Sequence, residues 1–234
     1  MPAALSCTDK HVTILCDTEW VRPLRVTLAA LLGIAAAIPA AACVGKPLPP
    51  FSATTHSVTA KELGLTWHPG CPVVPDQLRM IVLSYIGMDG QAHQGQLVVN
   101  ADRVDKLITI FGQLYQMRYP IAKMLTPDHY ANADDELSME DNNTSGYNCR
   151  DIPNTGRWSY HAYGRAIDIN PLINPYHDAN GVQPKNGGPY LDRTRRDPGL
   201  LHDGDQTVLA FTDRGWTWGG HWTDPIDYQH FELP

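Results

Sequence analysis

The sequence predicts a domain that holds both strands and helices, and two stretches carry that expectation. The first is a hairpin. Leu78-Arg-Met-Ile-Val-Leu-Ser-Tyr-Ile86 is rich in β-branched and aromatic residues, Met88-Asp89-Gly90 supplies a turn, and Gly95-Gln-Leu-Val-Val-Asn100 supplies the return strand. The second is a helix. Between Ala101 and Tyr119 the apolar residues Val104, Leu107, Ile108, Phe111, Leu114 and Tyr115 follow the i, i+3, i+4, i+7 spacing of one buried face. Asn100 is its expected cap and Pro120 its stop.

Ahead of this pair the chain reads differently. Residues 1–20 are polar and show no periodicity. Arg22 and Arg25 then precede an apolar run from Val26 to Ile38, which closes on Pro39-Ala-Ala-Ala-Cys43. A basic start, a short apolar stretch and small residues at the end describe a secretory signal. The run is short for a membrane span, which needs ~20 residues. Translation is expected to begin near Val21. Cys43 resembles the cysteine of a weak bacterial lipobox, with Ala40 where leucine is usual, so lipidation there competes with plain cleavage and secretion. Residues 1–43 are thus an extension and signal, 44–60 a Pro/Ser/Thr-rich tether, and 61–234 the folded domain.

Beyond the helix, residues 121–125 are expected to form a short strand, followed by a polar, acidic loop through Asn143. Residues 172–206, rich in Asn, Pro, Gly and Asp, read as a long surface excursion with a turn at Asn186-Gly-Gly-Pro189. A helix over 206–214 should end at Gly215, and Trp216-Thr-Trp-Gly-Gly-His-Trp222 leads into the last strand.

Composition narrows the functional classes. Hydrophobic residues make up 43% of the 234, enough for a core, and the net charge is -7. No Lys/Arg stripe exists, which argues against a nucleic-acid partner. Five cysteines, Cys7, Cys16, Cys43, Cys71 and Cys149, form no CxxC pair. Cys71 and Cys149 would remain after signal removal, as one disulfide in an oxidising compartment or as two buried thiols.

Three distant residues have the chemistry of a metal site. His161 and Asp168 stand seven apart with Gly164 between them, too far for one helical turn. The spacing suits a loop delivering His161, a glycine-permitted reversal, and a strand in Ala166-Ile-Asp-Ile169 presenting Asp168. The C-terminal Asp227-Tyr-Gln-His230 offers a third ligand. Two imidazoles and one carboxylate suit a catalytic zinc with one open position, and Asp227 is placed as a proton acceptor or as a partner that steadies His230. Arg150, shortly before the first ligand, is a candidate for binding a substrate carboxylate or a developing oxyanion, or else for a surface ion pair. Ser159 lies two residues from His161 but has no GxSxG elbow, and Cys149 lacks features that would support a thiol dyad.

Ser159-x-His161-x-x-Gly164-x-Ala166-x-Asp168, followed by Asp227-x-x-His230, resembles the zinc D-alanyl-D-alanine carboxypeptidase family. That family includes L-alanyl-D-glutamate endopeptidases of bacterial cell walls and phage lysins. The resemblance runs from about Cys71 to Leu233. It implies an α+β fold with a small antiparallel sheet flanked by helices, zinc (Zn2+) held by His161, Asp168 and His230, and Asp227 as general base. It also sets Arg150 at the substrate, where Ser159 and Tyr160 are expected beside it. Many members carry glutamate at the base position, and the endopeptidase-like branch carries aspartate as here. The expectation is a secreted or lipid-anchored monomeric peptidase acting on peptidoglycan peptides, with membrane contact only through an anchor or an uncleaved signal. A zinc-containing wall-binding module without catalysis is the alternative.

Overall fold

The structure is a computed structural model, and it describes residues 48–152 and 155–234. The expected signal, with Cys7, Cys16 and Cys43, lies outside the described residues. Strand β1 (Ala53–Ser57), the short helix α1 (Ala60–Leu63), β2 (Leu78–Ile86) and β3 (Ala92–Asn100) come first. Then follow α2 (Val104–Gln116), β4 (Lys123–Met124), α3 (Asp135–Glu140), β5 (Asn143–Thr144), β6 (Asp151–Ile152) and β7 (Arg157–Trp158). The C-terminal part holds β8 (Ala166–Asp168), β9 (Tyr176–Asp178), β10 (Gly181–Gln183), α4 (Gln206–Thr212), β11 (Thr217–Trp218), β12 (Ile226–Asp227) and β13 (His230–Glu232). The fold is α+β with small antiparallel sheets and one parallel pair, β4-β5. Among the described residues no helix is long and apolar enough to cross a membrane.

The hairpin forms the largest sheet, in the order β1-β2-β3, all antiparallel. Ile81, Leu83, Leu97 and Val99 alternate onto one face and are buried against Leu107, Ile110, Phe111 and Leu114 of α2. The same core takes in Phe211 of α4 and reaches Ile167 of β8, Trp218 of β11 and Phe231 of β13. Phe211 stacks on Phe231 with ring centroids 4.0 Å apart. Three very short strands, β11-β13-β8, are therefore seated on the large core by their apolar residues. Removing the Phe231 ring would cost about 3–5 kcal/mol.

Four expectations need correction. The tether of residues 44–60 does not extend to residue 60: Ala53–Ser57 pairs with Leu83 back to Arg79, and Thr59 and Glu62 form a capping box on α1. A lone threonine-rich edge strand gives no alternating signal of its own. Helix α2 stops at Gln116, short of Tyr119, because Arg118 turns left-handed at φ 56. Asn100 caps the 3-10 turn that leads into it, accepting from the Asp102 N–H. The acidic loop contains α3, started by the Asp134 side chain accepting from the Leu137 N–H. The surface excursion supplies β9, which lies between β10 and β12.

Candidate metal centre

His161 is presented by a 3-10 turn, Tyr160–Tyr163. The buried Ser159 hydroxyl accepts the His161 N–H at its start, and Gly164 ends it in the left-handed region at φ 65. A side chain at 164 would also strike the Asn100 nitrogen at 2.5 Å, so glycine is required for both reasons. Asp168 closes β8, and His230 opens β13 directly opposite it in the antiparallel register. Residues 62 positions apart thereby become cross-strand neighbours. Ser145 bridges to the other side of Asp168, which brings the Gly146 carbonyl beneath His161.

The ligand atoms converge. His161 Nε2 lies 3.0 Å from Asp168 Oδ2 and 3.2 Å from His230 Nδ1, and His230 Nδ1 lies 3.0 Å from Asp168 Oδ1. All three residues are buried. Their outer contacts fix the ring nitrogens. His161 Nδ1–H donates to the Gly146 carbonyl at 2.6 Å, which leaves Nε2 as a lone pair. That lone pair faces a carboxylate oxygen, another acceptor, at 3.0 Å. His230 Nε2–H donates to Glu232 Oε2 at 3.1 Å, which turns Nδ1 inward. Acceptors packed this closely out of water require positive charge among them. In a tetrahedral site with N/O ligands at ~2.0–2.1 Å, ligand atoms sit about 3.3 Å apart, so the donor set fits a divalent cation.

The ionisation of these groups points the same way. Burial would raise the Asp168 carboxyl, but the two imidazoles outweigh it and hold it well below the usual carboxylate range. Burial opposes charge on His230, yet its hydrogen bonds to Asp168 and Glu232 lift it to about 10. In the absence of a cation, a proton therefore occupies His230 at neutral pH. A cation and this proton compete for the same inward nitrogen.

Asp227 ends β12, with Tyr176 of β9 as its register partner. Burial pushes its carboxyl up to about 7, Asp168 adds to the rise, and His230 and Arg150 oppose it. Its Oδ1 is enclosed with no hydrogen-bond partner. Gly219 backs it closely: a Cβ there would meet the Asp227 carbonyl oxygen at 2.6 Å. Arg150 is half-buried and pairs with Asp135 at 2.9 Å. Burial works against its charge, while Asp135, Asp168 and Asp227 keep it protonated. The ion pair expected as the plain alternative for Arg150 is present, and the guanidinium also lies in the field of the metal-site carboxylates.

Of the other expected site residues, Ser159 is occupied as a cap, and Tyr160 is exposed beside the His161 turn. Cys71 and Cys149 are disulfide-bonded, with Cα atoms 5.9 Å apart. Cys43 lies outside the described residues. Sequence reasoning assigned no role to Glu232, to the Gly146 carbonyl or to Trp222, whose ring tilts against His230 at 5.5 Å. Only Glu232 left a trace, since position i+2 on a strand shares a face with His230.

The fold and the buried His/Asp/His cluster together define an α+β domain built around a candidate divalent-cation site. Residues 153–233 match the family model described as D-alanyl-D-alanine carboxypeptidase, so this part of the chain is similar to that peptidase family. The match spans His161, Asp168, Asp227 and His230 and begins just after Arg150. No curated protein and no solved structure matches the chain.

Proposed function

We propose that this chain is a zinc-dependent peptidase hydrolysing peptide bonds in the stem peptides of peptidoglycan. Its action would be of the D-alanyl-D-alanine carboxypeptidase or the L-alanyl-D-glutamate endopeptidase type. The observation that carries the reading is the pair of inward-facing acceptors, His161 Nε2 and Asp168 Oδ2, held 3.0 Å apart beside His230 Nδ1. Bound by these three residues, zinc supplies Lewis acidity and lowers the pKa of nearby water towards ~7. Asp227 takes the proton from the attacking water and returns it to the leaving amine. A carboxyl poised near neutrality does both at working pH. Arg150, steadied by Asp135, offers N–H donors to the substrate carboxylate or to the oxyanion that develops. Tyr160 supplies an exposed ring at the rim. The enzyme acts outside the cytoplasmic membrane as a monomer, delivered by the 22–43 signal and either released or anchored through Cys43.

The test is digestion of purified cell wall and synthetic muropeptides with the full chain, reading new termini by mass spectrometry. Cleavage should stop with chelator and return with zinc. Cleavage that ignores chelation sinks the metallopeptidase reading. Bound zinc with no cleavage of any wall fragment leaves the non-catalytic wall-binding module in its place.

A further inference from the structure

A second cluster of potential ligands lies at the disulfide. His68, Cys71 and Cys149 each present a ligand atom, all within 4.8 Å of one another, and His68 is exposed. The first two form His68-Pro-Gly-Cys71, two ligand types separated by a tight Pro-Gly pair. That is the x2 spacing by which short loops deliver a pair of ligands to one metal. His68 Nδ1–H donates to the Pro69 carbonyl at 3.0 Å, so Nε2 carries the lone pair, and it lies 3.7 Å from Cys149 Sγ. The His68 backbone N–H donates to Cys71 Sγ at 3.2 Å, the contact a thiolate would strengthen. The frame around them is pinned: the Cys149 N–H donates to the Thr66 carbonyl at 3.0 Å, and the Trp67 indole N–H to the Val73 carbonyl at 2.9 Å.

We infer that reduction of Cys71–Cys149 opens a second metal site, in which both thiolates and His68 Nε2 take a soft divalent cation. With metal–sulfur bonds of ~2.3 Å, the two sulfurs of a tetrahedral site stand about 3.7 Å apart. Side-chain rotation from Cα atoms 5.9 Å apart reaches that separation with the backbone in place. Two thiolates and an imidazole select zinc or cadmium over magnesium or calcium, and water completes the shell on the exposed side. The electrons and protons balance. A dithiol reductant is oxidised to its disulfide while Cys71–Cys149 gains two electrons and two protons, and the cation then displaces the two thiol protons. Because Cys149 adjoins Arg150, the cation would replace the disulfide as the tie that holds this segment to the 67–73 loop. The inference goes beyond the peptidase reading and does not rest on it.

The experiment uses the full chain with Cys7, Cys16 and Cys43 changed to serine, titrated with cadmium before and after treatment with a phosphine reductant. The phosphine takes the oxygen of water and leaves two thiols. Oxidised protein should bind one equivalent, at His161, Asp168 and His230, with no ultraviolet thiolate-to-cadmium band. Reduced protein should bind two, the second with that band. Cys149→Ser should remove the band and keep the first equivalent. His68→Ala should weaken the second equivalent about tenfold or more. A reduced protein that gains no equivalent over the oxidised one, or shows no thiolate-to-cadmium band, overturns the inference. So does a band indifferent to His68→Ala, and so does loss of both equivalents on reduction, since the site requires the folded frame.

Discussion

Replacing Glu232 by alanine should weaken the metal centre without touching any of its ligands. Glu232 Oε2 holds the outer nitrogen of His230 at 3.1 Å, and its side chain is only 17% exposed, so solvent screens the contact weakly. A hydrogen bond to a charged group contributes about 1.5–3 kcal/mol. Without it the imidazole can flip or change tautomer, and its inward nitrogen is no longer fixed as an acceptor. Water reaching the vacated position recovers part of that energy, so the expected loss in zinc affinity is about 10–100-fold, the range for outer partners of ligating histidines. Glu232→Gln keeps an acceptor oxygen and loses the charge, so its loss should be about 3–10-fold, roughly half the free energy. Competition against a fluorescent zinc chelator measures both variants, with circular dichroism as a check on folding. An alanine variant within twofold of the parent protein refutes the reasoning, as does a glutamine variant as impaired as alanine.

Four further outcomes follow from the same geometry. Asp227→Asn should lower turnover by about 10²–10⁴-fold while zinc content stays unchanged, and full activity in this variant would remove Asp227 from the chemistry. In the parent enzyme the acid limb of kcat/KM should fall at or below about pH 7, because a cation can only lower a carboxyl that burial has raised to about 7. In chelated protein, His230 is raised from its ordinary value of 6.5 to about 10 by its partners, so its stabilisation is complete below pH 6.5 and is lost as pH climbs through 10. Thermal midpoints of the chelated protein should therefore decline over that window, and zinc binding near pH 8 should release about one proton, read by calorimetry in two buffers of different ionisation enthalpy. Gly219→Ala drives a methyl into the Asp227 carbonyl at 2.6 Å, with an expected cost of about 1–3 kcal/mol in stability. It should also reduce kcat far more than zinc affinity, since the triad does not depend on residue 219. Equal losses in both would contradict that separation.

The parts of this protein legible in the sequence share one property: their signal is written in side chains repeated or rare enough to stand out. The β2–β3 hairpin shows in nine-residue runs rich in β-branched residues about a glycine turn, while α2 is periodic, and burial of Leu107, Phe111 and Leu114 follows that period. The convergence of His161, Asp168 and His230 is legible because few residue types suit a divalent cation and their order is specific. Short elements escaped. Six residues of α3 and five of β1 exist because the rest of the fold seats them, and neither could be stable alone.

What the sequence hides most completely is the set of contacts that gives the ligands their chemistry. The acceptor beneath His161 is a backbone carbonyl, and every residue has one; only the Ser145–Asp168 bridge makes Gly146 the relevant one. Glu232 matters because β13 is paired in a register that puts His230 opposite Asp168, leaving Glu232 on the same face two residues on. Shift that strand by one residue and the same three ligand types would point apart, with Phe231 turned out of the core it shares with Phe211. The apolar stacking of Phe231 and the polar demands of His230 thus enforce one register from opposite faces of a three-residue strand. Packing chooses the alignment, and the alignment in turn crowds His230 Nδ1 and Asp168 Oδ1 to 3.0 Å, a separation of two acceptors that only positive charge makes favourable.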